Sequence, residues 1–267
     1  MTGEAAALEG AGEGRAAADP SLFTYVLRLA DLSLVLGQRL GEWVGHAPAL
    51  EEDLGLANVA LDLIGQARLL LTYAGEIEGR GRGEDDLAFL RHHGEYLNAV
   101  LVEQPNGDFG RTLVRQVLID AFQLELFERM TASTDEHLAA IAAKSVKETR
   151  YHLRYSAGWL VRLGDGTHES HARAQSALDA LWRYTVELFA EDGLDREMAE
   201  RGVAPRLAEI QAAWSARIDE ILAEATLERP PDRPNAWQGK RGQHSEHLGY
   251  LLAEMQHLQR VYPGARW

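Results

Sequence analysis

The segment "LGLANVALDLIGQARLLL", residues 54–71, restricts the fold of this chain more than any other feature of the sequence. It is apolar on nearly every side of a helix, which is typical of a helix that neighbouring elements cover on most faces. Asn58, Asp62 and Gln66 recur at four-residue steps within it, so they share one face. That polar face is either a narrow strip exposed to solvent or a polar seam inside a helical bundle.

Helical periodicity continues along the rest of the chain, and strand patterns are nearly absent. Apolar spacings of three and four predict long helices at about residues 21–45, 49–79, 109–130 and 137–164, with shorter ones at 85–104, 170–190, 194–201, 205–225 and 245–260. Ser133 and Glu136 form a capping-box pattern before the fourth long helix. Residues 1–19, rich in Ala, Gly and Glu, predict a disordered extension. The sequence thus predicts an all-α bundle with additional C-terminal helices, in a single domain over residues 20–267.

The composition excludes several kinds of function. The chain has no cysteine, which excludes disulfides, iron–sulfur clusters and thiolate zinc sites and leaves His, Asp and Glu as strong metal ligands. The formal net charge of -14 argues against binding to nucleic acid or to an anionic membrane, because both require a positive field. No apolar run reaches the roughly 20 residues of a membrane-spanning helix, and the N-terminus lacks the apolar core of a signal peptide. We therefore expect a soluble cytoplasmic protein.

Polar residues at four-residue steps lie within four of the long predicted helices, and each row occupies one helix face. The rows are Gln38, Glu42 and His46; Asn58, Asp62 and Gln66; Gln116 and Asp120; and Lys144, Glu148, His152 and Ser156. On any single helix such a row is usually a strip exposed to solvent. Four matching rows, each with a carboxylate, instead predict a shared polar centre.

One acidic residue from each of four helices is the layout of the ferritin-like di-iron proteins. These use Glu, Glu-x-x-His, Glu and Glu-x-x-His in helix order. The corresponding positions in this chain are Glu42, Asp62 with Gly65, Asp120, and Glu148 with Tyr151. The acids are present, but glycine and tyrosine stand where the two histidines are expected. The pattern therefore predicts a ferritin-like four-helix bundle that does not assemble the usual two-iron site.

His152 lies one residue beyond the expected ligand position, which is about 100° further round the helix. We expect its ring to hydrogen-bond a carboxylate rather than to bind iron. Buried acids without a metal need another cation or a proton. Lys144, Arg150 and His152 are the nearest candidates in the sequence, so hydrogen bonds and ion pairs are predicted to fill the centre.

Several long strings resemble a known family. "GQRLGEWVGHAP", "LVEQPNGDF", "KETRYHLRYSAGWLVRLGDGT" and the ending "PGARW" are similar to the C-type subunits of the ring 1,2-phenylacetyl-CoA epoxidases of bacterial phenylacetate degradation, over about residues 23–267. The resemblance implies a ferritin-like bundle without metal or other cofactor, noncatalytic and required for a stable, soluble A subunit. The A subunit would hold two irons and epoxidise the ring of phenylacetyl-CoA with dioxygen. A reductase subunit would supply electrons, and a B subunit would belong to the wider complex.

The resemblance also implies contacts with the CoA ester at two segments. These are Glu95, Tyr96, Leu97 and Asn98, directly before "LVEQPNG", and Arg196, Glu197 and Met198. Both segments are equally compatible with ordinary surface helix. Two other functions stay open at this point. One is a metal-dependent oxygenase in its own right, with Glu42, Asp62, Asp120, Glu148 and His152 as ligands; the other is a helical scaffold unrelated to oxidation.

Overall fold

The computed structural model describes residues 19–233 and 237–265, and within these ranges the chain forms helices and no strand. The helices are α1 (Pro20–Gly41), α2 (Leu50–Glu78), α3 (Glu84–Phe89), α4 (Val100–Glu103), α5 (Phe109–Met130), α6 (Glu136–Gly164), α7 (His168–Leu181), α8 (Gly193–Glu200), α9 (Leu207–Glu224), α10 (Glu246–Met255) and α11 (His257–Val261). The prediction of an all-α, ferritin-like four-helix bundle with additional C-terminal helices is confirmed.

The four long helices pair along the bundle. α1 packs along α2, α5 packs along α6, and α2 also meets α6. Gly37 lets α1 approach α2 closely, because a Cβ atom there would lie 3.1 Å from Ile64 and 3.3 Å from the carbonyl oxygen of Ala60. α5 is the most enclosed helix, buried from Gly110 to Phe127 except at Arg111. Polar side chains on the buried faces of α5 and α6 therefore meet inside the bundle.

The N-terminal boundary lies one residue earlier than the sequence indicated. Most of the predicted disordered extension lies outside the described residues. Its last residue, Asp19, is the N-cap of α1, where its carboxylate accepts a hydrogen bond from the backbone N–H of Leu22 at 3.0 Å. Arg201 also binds this carboxylate at 2.5 Å. Asp19 thus belongs to the folded part of the chain.

The segment over residues 85–104, predicted as one helix, is instead divided. It contains α3, a 3-10 turn at His93–Glu95, an extended stretch and α4. The cause is a tertiary contact, because the buried carboxylate of Asp31 accepts a hydrogen bond from Leu97 N at 2.9 Å and pairs with the guanidinium of Arg91. Arg91 also donates to the carbonyl oxygen of Glu95 at 2.9 Å. These bonds hold the backbone in a shape that a continuous helix does not permit.

Two other helix boundaries differ from the sequence-based prediction. Asp135, rather than Ser133, caps α6 and accepts from Leu138 N at 2.9 Å, while Ser133 donates to the carbonyl oxygen of Val203. The last predicted helix is interrupted at Gln256, between α10 and α11. The amide of Gln256 donates to the hydroxyl of Tyr96 at 2.9 Å, which fastens this break to the divided segment.

By length and composition alone, α1 and α2 are apolar enough to cross a membrane. Their most apolar windows have mean hydropathies of 1.2 and 1.4. The two helices pack against each other in the bundle, and 72% of the α1 window is buried there. Core helices of globular proteins pass the same test, so these helices do not indicate a membrane protein.

Candidate functional site

A row of fully buried polar side chains on α6 faces the inside of the bundle. Polar residues of α2 and α5 bond to α6, and Ser33 of α1 joins the set through a hydrogen bond from Gln123 of α5. The whole set, which we call the polar centre, is Ser33, Gln66, Gln116, Asp120, Gln123, Ser145, Thr149, His152 and Ser156. All four long helices contribute, so the predicted shared polar centre exists, although its members differ from the predicted ones.

Asp120 lies at the middle of the polar centre and is completely buried. Its carboxylate accepts hydrogen bonds from Gln116 Nε2 and from Ser156 Oγ, both at 2.7 Å. Burial raises the pKa of Asp120 to about 6, while the positive field of His152 and the two hydrogen bonds oppose this shift. The carboxyl group therefore titrates much closer to neutral pH than an ordinary aspartate.

His152 connects α6 to α2. Its Nε2 lies 3.0 Å from Oδ2 of Asp62, and the ring is fully buried whereas the carboxylate is 40% exposed. One turn earlier, Glu148 accepts a hydrogen bond from Gln66 Nε2 at 3.0 Å. The expectation that His152 binds a carboxylate is met by Asp62 on the neighbouring helix. Glu148, four residues away on the same helix face, bonds to Gln66.

Of the predicted members, Asp120 and His152 belong to the polar centre, Asp62 and Glu148 lie at its edge with partly exposed carboxylates, and Gly65 has no side chain to contribute. Three others lie away from it. Glu42 is exposed just beyond the end of α1, where Arg39 binds its carboxylate at 2.6 Å and Asn106 at 2.9 Å. Lys144 is 58% exposed and lies 3.6 Å from the partly exposed Glu148, so it does not neutralise a buried acid. Tyr151 points outward and is 41% exposed. The predicted placement of these three side chains is therefore wrong.

The sequence analysis missed the contribution of α1. Ser33 is fully buried and accepts a hydrogen bond from Gln123 Nε2 at 3.1 Å. α1 thus supplies a hydroxyl to the polar centre, nine residues before Glu42. The sequence does indicate this position, because Ser33 is the one polar residue in the apolar run "LSLVL". It has no carboxylate, so a comparison restricted to acidic residues does not include it.

These residues do not fit two irons. Asp120 is held by two hydrogen-bond donors, Asp62 by His152, and Gly65 offers no side chain at all. No group of three or more His, Cys, Asp or Glu side chains is arranged for a metal ion within the ranges that the structure describes. The donor set is mainly neutral amides and hydroxyls, which are poor substitutes for the carboxylates and imidazoles of an iron site.

A second candidate site is a small cavity between α1, α5, α8 and the extended stretch before α4. Its volume is about 50 Å³, enough for a few water molecules. Apolar side chains form most of the wall, including Tyr25, Leu97, Phe122 and Leu188. The charged groups that line it are Arg28, Asp195 and Lys240.

An ion cluster closes the polar side of this cavity. Arg28 binds Asp192 at 2.6 Å and Asp195 at 3.3 Å, and Lys240 binds Asp195 at 2.8 Å. Burial disfavours the ionised form of Asp192, but the hydrogen bond and charge of Arg28 outweigh it and hold the pKa below its usual range. The cluster ties α1, α8 and the 3-10 turn at Gly239–Arg241 together.

The two segments predicted to contact the CoA ester both border this cavity, but few of their side chains enter it. Leu97 lines the cavity, and Asp195 lines it directly before the second segment. Tyr96, Asn98 and Met198 are fully buried in the protein.

The remaining side chains of these segments lie nearer the surface. Glu95 is exposed and accepts a hydrogen bond from His92 N. Arg196 is also exposed, and Glu197 accepts from Ser21 Oγ at 2.9 Å. Neither segment is an ordinary surface helix throughout.

The fold and the buried side chains define a ferritin-like bundle whose polar centre holds one aspartate, Asp120, among amides, hydroxyls and an imidazole. Residues 6–267 match the family described as Phenylacetic acid catabolic protein, and the chain belongs to that family. It is 53% identical over 246 residues to the C subunit of 1,2-phenylacetyl-CoA epoxidase from Escherichia coli (strain K12), a match that spans 92% of this chain and 99% of that protein. The resemblance noted in the sequence is confirmed.

Proposed function

We propose that this chain is a structural, noncatalytic subunit of a phenylacetyl-CoA 1,2-epoxidase complex, in which it stabilises the di-iron catalytic A subunit. The observation that carries the proposal is the polar centre. Asp120 and Asp62 are bound by Ser156, Gln116 and His152, the donors that stand in place of iron. The similarity to the C subunit of an epoxidase supports the same function.

The chemistry of such a complex divides between the subunits. Epoxidation with dioxygen needs a redox centre, and the described residues of this chain offer no ligand set for two irons, so in this proposal the A subunit supplies that centre. In this proposal hydrogen bonds to the carboxylates of Asp120 and Asp62 take the place of iron. Other buried atoms of the polar centre have no hydrogen-bond partner in the described structure, namely Gln66 Oε1, Gln116 Oε1, Gln123 Oε1, Thr149 Oγ1 and His152 Nδ1. A reductase subunit and a B subunit belong to the same proposal, as does a cytoplasmic location.

Contact with the CoA ester is part of the proposal at the rim of the small cavity. The cavity shares Lys240 with an open groove of about 200 Å³, in which Arg241 is largely exposed. Arg241 is the exposed cation of this groove and suits a phosphate of CoA, whereas Lys240 is mostly buried and bound to Asp195. Glu187, Glu191 and Asp192 line the same groove. The cavity itself is narrow, so we propose that the ester touches its rim near Leu97 and Asp195 rather than filling it.

Co-expression with a catalytic A-type subunit tests the structural function. We expect the two chains to co-purify, and we expect the soluble yield of the A subunit to fall sharply when this chain is omitted. Metal analysis of the purified chain alone should give much less than one iron per chain. Stoichiometric iron together with oxygen-dependent turnover by this chain alone would contradict the proposal. An A subunit that is equally soluble with and without this chain would contradict it as well.

A further inference from the structure

His244 lies directly before α10, away from the polar centre, and its side chain is completely buried. Each of its two ring nitrogens lies within hydrogen-bond distance of an acceptor oxygen. Nδ1 is 3.1 Å from Oε2 of Glu103 on α4, and Nε2 is 2.7 Å from the backbone carbonyl oxygen of Tyr96. The side chain of Glu103 is also completely buried. The imidazole is thus held between two acceptors, out of contact with water.

This arrangement determines the charge of the imidazole. A neutral ring donates from one nitrogen only, so the lone pair of its other nitrogen would face an acceptor oxygen. An imidazolium donates from both nitrogens and satisfies both oxygens. The carboxylate of Glu103 also accepts hydrogen bonds from Ser245 N at 2.7 Å and from Asn98 Nδ2 at 3.3 Å, so donors surround it. His244 and Glu103 therefore form a buried ion pair of imidazolium and carboxylate.

The charges on the neighbouring elements agree with this assignment. Burial of the ring lowers its pKa, but the hydrogen bond and charge of Glu103, the bond to the backbone carbonyl and the field of Glu187 outweigh burial and raise the pKa of His244 above its usual value. The ring of His93 lies edge-on to it, with the ring centres 5.2 Å apart. Arg39 of α1 donates to the backbone carbonyl oxygen of Glu103 at 2.9 Å. Among the residues that the structure describes, His244 is the one cation within ion-pair distance of the Glu103 carboxylate.

The ion pair connects the C-terminal helices to the divided segment over residues 85–104. Ser245, whose backbone N–H binds Glu103, is the N-cap of α10. Further along the chain, Gln256 and Arg260 donate to the backbone carbonyl oxygen of Arg91 at 3.0 and 2.8 Å. In the described part of the chain after residue 241, no other ion pair reaches an earlier element. The attachment of α10 and α11 therefore depends on one buried charge pair.

We propose that His244 and Glu103 form a proton-dependent latch on the C-terminal helices. While His244 keeps its second proton, the pair holds α10 and α11 against α4 and the extended stretch at Tyr96. Loss of that proton leaves the Glu103 carboxylate buried without its cation and turns a ring lone pair toward an acceptor. α10 and α11 then open locally while the four long helices stay folded. The latch depends on these residues alone and not on the proposed function.

The direction of the pH effect follows from the raised pKa of His244. A histidine that holds its proton more tightly in the closed state stabilises that state below its open-state pKa of about 6.5. The stabilisation is lost as pH rises from about 6.5 through the pKa of the closed state. Over that window the equilibrium constant for opening rises by up to about tenfold per pH unit, and above the window it levels off.

Amide hydrogen exchange of the full chain from pH 6 to pH 9 measures this opening. Leu251 and Leu252 of α10 are buried, so their amides report on release of the helix. After correction for the intrinsic exchange rate, their opening constants should rise above pH 6.5 by up to about tenfold per pH unit. They should also exceed the opening constants of the α5 amides. Opening constants that do not change with pH, or that equal those of α5, would overturn the inference.

His244→Gln tests the role of the titrating ring. An amide side chain both donates and accepts a hydrogen bond but has no proton to lose in this range. The α10 opening constants of this variant should be about tenfold above those of the wild type at pH 6.5 and should stay constant to pH 9. The matched control is His257→Gln, which changes an exposed histidine of α11 and should keep the pH dependence of the wild type. A pH dependence that persists in His244→Gln, or that disappears in His257→Gln, would contradict the latch.

Nitrogen NMR of the wild type tests the protonation directly and requires no variant, so the inference can be tested even if His244→Gln does not fold. At pH 6.5 the ring of His244 should show two N–H signals, one at Nδ1 and one at Nε2. One of them should disappear over the same pH range in which the α10 amides open. A ring of His244 with a single N–H at pH 6.5 would overturn the inference.

Discussion

Nε2 of His152 on α6 lies 3.0 Å from Oδ2 of Asp62 on α2, and the imidazole is fully buried whereas the carboxylate is 40% exposed. The two ends of this bond therefore differ in what they contribute. The imidazole fills space inside the bundle, while the carboxylate keeps part of its hydration. The bond joins two helices at the height where a ferritin-like protein would join them through iron.

Replacement of His152 should be far more damaging than replacement of Asp62. His152→Ala leaves a cavity and removes the buried bond, so we expect a loss of about 2–4 kcal/mol in the free energy of unfolding. Asp62→Asn keeps the shape and a hydrogen-bonding oxygen, so we expect a loss below about 1 kcal/mol. Urea denaturation of both variants measures the difference. Equal losses of unfolding free energy in the two variants would show that burial of the imidazole ring adds no stability beyond its bond to Asp62.

Asp120→Asn should change stability in a pH-dependent way. Burial raises the pKa of Asp120 to about 6, well above that of an ordinary aspartate, so the folded state holds the proton more tightly than the unfolded state. The wild type therefore loses stability as pH rises from about 4 to 6, by about 3 kcal/mol at most, and the loss levels off above about pH 6. Asparagine has no proton to lose, so the stability of the variant relative to the wild type should rise over that window.

Thermal unfolding of wild type and Asp120→Asn from pH 4 to pH 8 measures this effect. The matched control is Glu220→Gln on the exposed face of α9, which replaces a carboxylate that is not buried. In the Asp120→Asn variant the amide of Gln116 can turn its oxygen toward the substituted side chain, which keeps the local hydrogen bond. A pH-independent difference between Asp120→Asn and wild type would show that Asp120 does not titrate in this range.

Lys144→Met should have little effect on the isolated chain. From the sequence alone we expected Lys144 to neutralise a buried acid, with a loss of order 3 kcal/mol on its removal. The structure instead shows a 58% exposed ammonium 3.6 Å from Glu148, which is a surface ion pair. Such pairs contribute between about 0 and 1 kcal/mol, so the melting temperature should shift by no more than a few degrees. A loss of several kcal/mol would restore the first expectation.

Arg91→Met should be strongly destabilising. Arg91 and Asp31 form an ion pair that is almost completely enclosed, and removal of the cation leaves the Asp31 carboxylate buried without its charge partner. We expect a loss of about 3–5 kcal/mol in the free energy of unfolding. The double variant Arg91→Met with Asp31→Leu should recover much of this loss, because no buried charge is left. A double variant as unstable as the single one would contradict this account.

Helix positions were largely predictable from the sequence, whereas side-chain placement was predictable only in part. α5 begins and ends where the apolar spacing placed it, at Phe109 and Met130. The polar row of α6 was also found, and His152 and Ser156 lie inside as the spacing indicates. Periodicity captures these features because each depends only on the geometry of one helix.

The rest depended on contacts between distant parts of the chain. Glu42 was expected inside because a row of polar residues continues from Gln38, but α1 ends at Gly41 and the row ends with it. The division of residues 85–104 follows from Asp31, more than fifty residues earlier in the sequence. Periodicity cannot show which end of a row lies inside, nor which loop a buried carboxylate will bind.

The polar row of α6 also fixes how that helix is rotated. Ser145, Thr149, His152 and Ser156 lie inside, and Lys144 and Tyr151 lie outside. A rotation by one residue, about 100°, would replace His152 with Leu153 or Tyr151 and would leave Asp120 without Ser156. Leucine contacts alone tolerate small rotations, since one methyl group packs much like another. The hydrogen bonds do not, and they therefore give the bundle one orientation of α6 in place of several of similar energy.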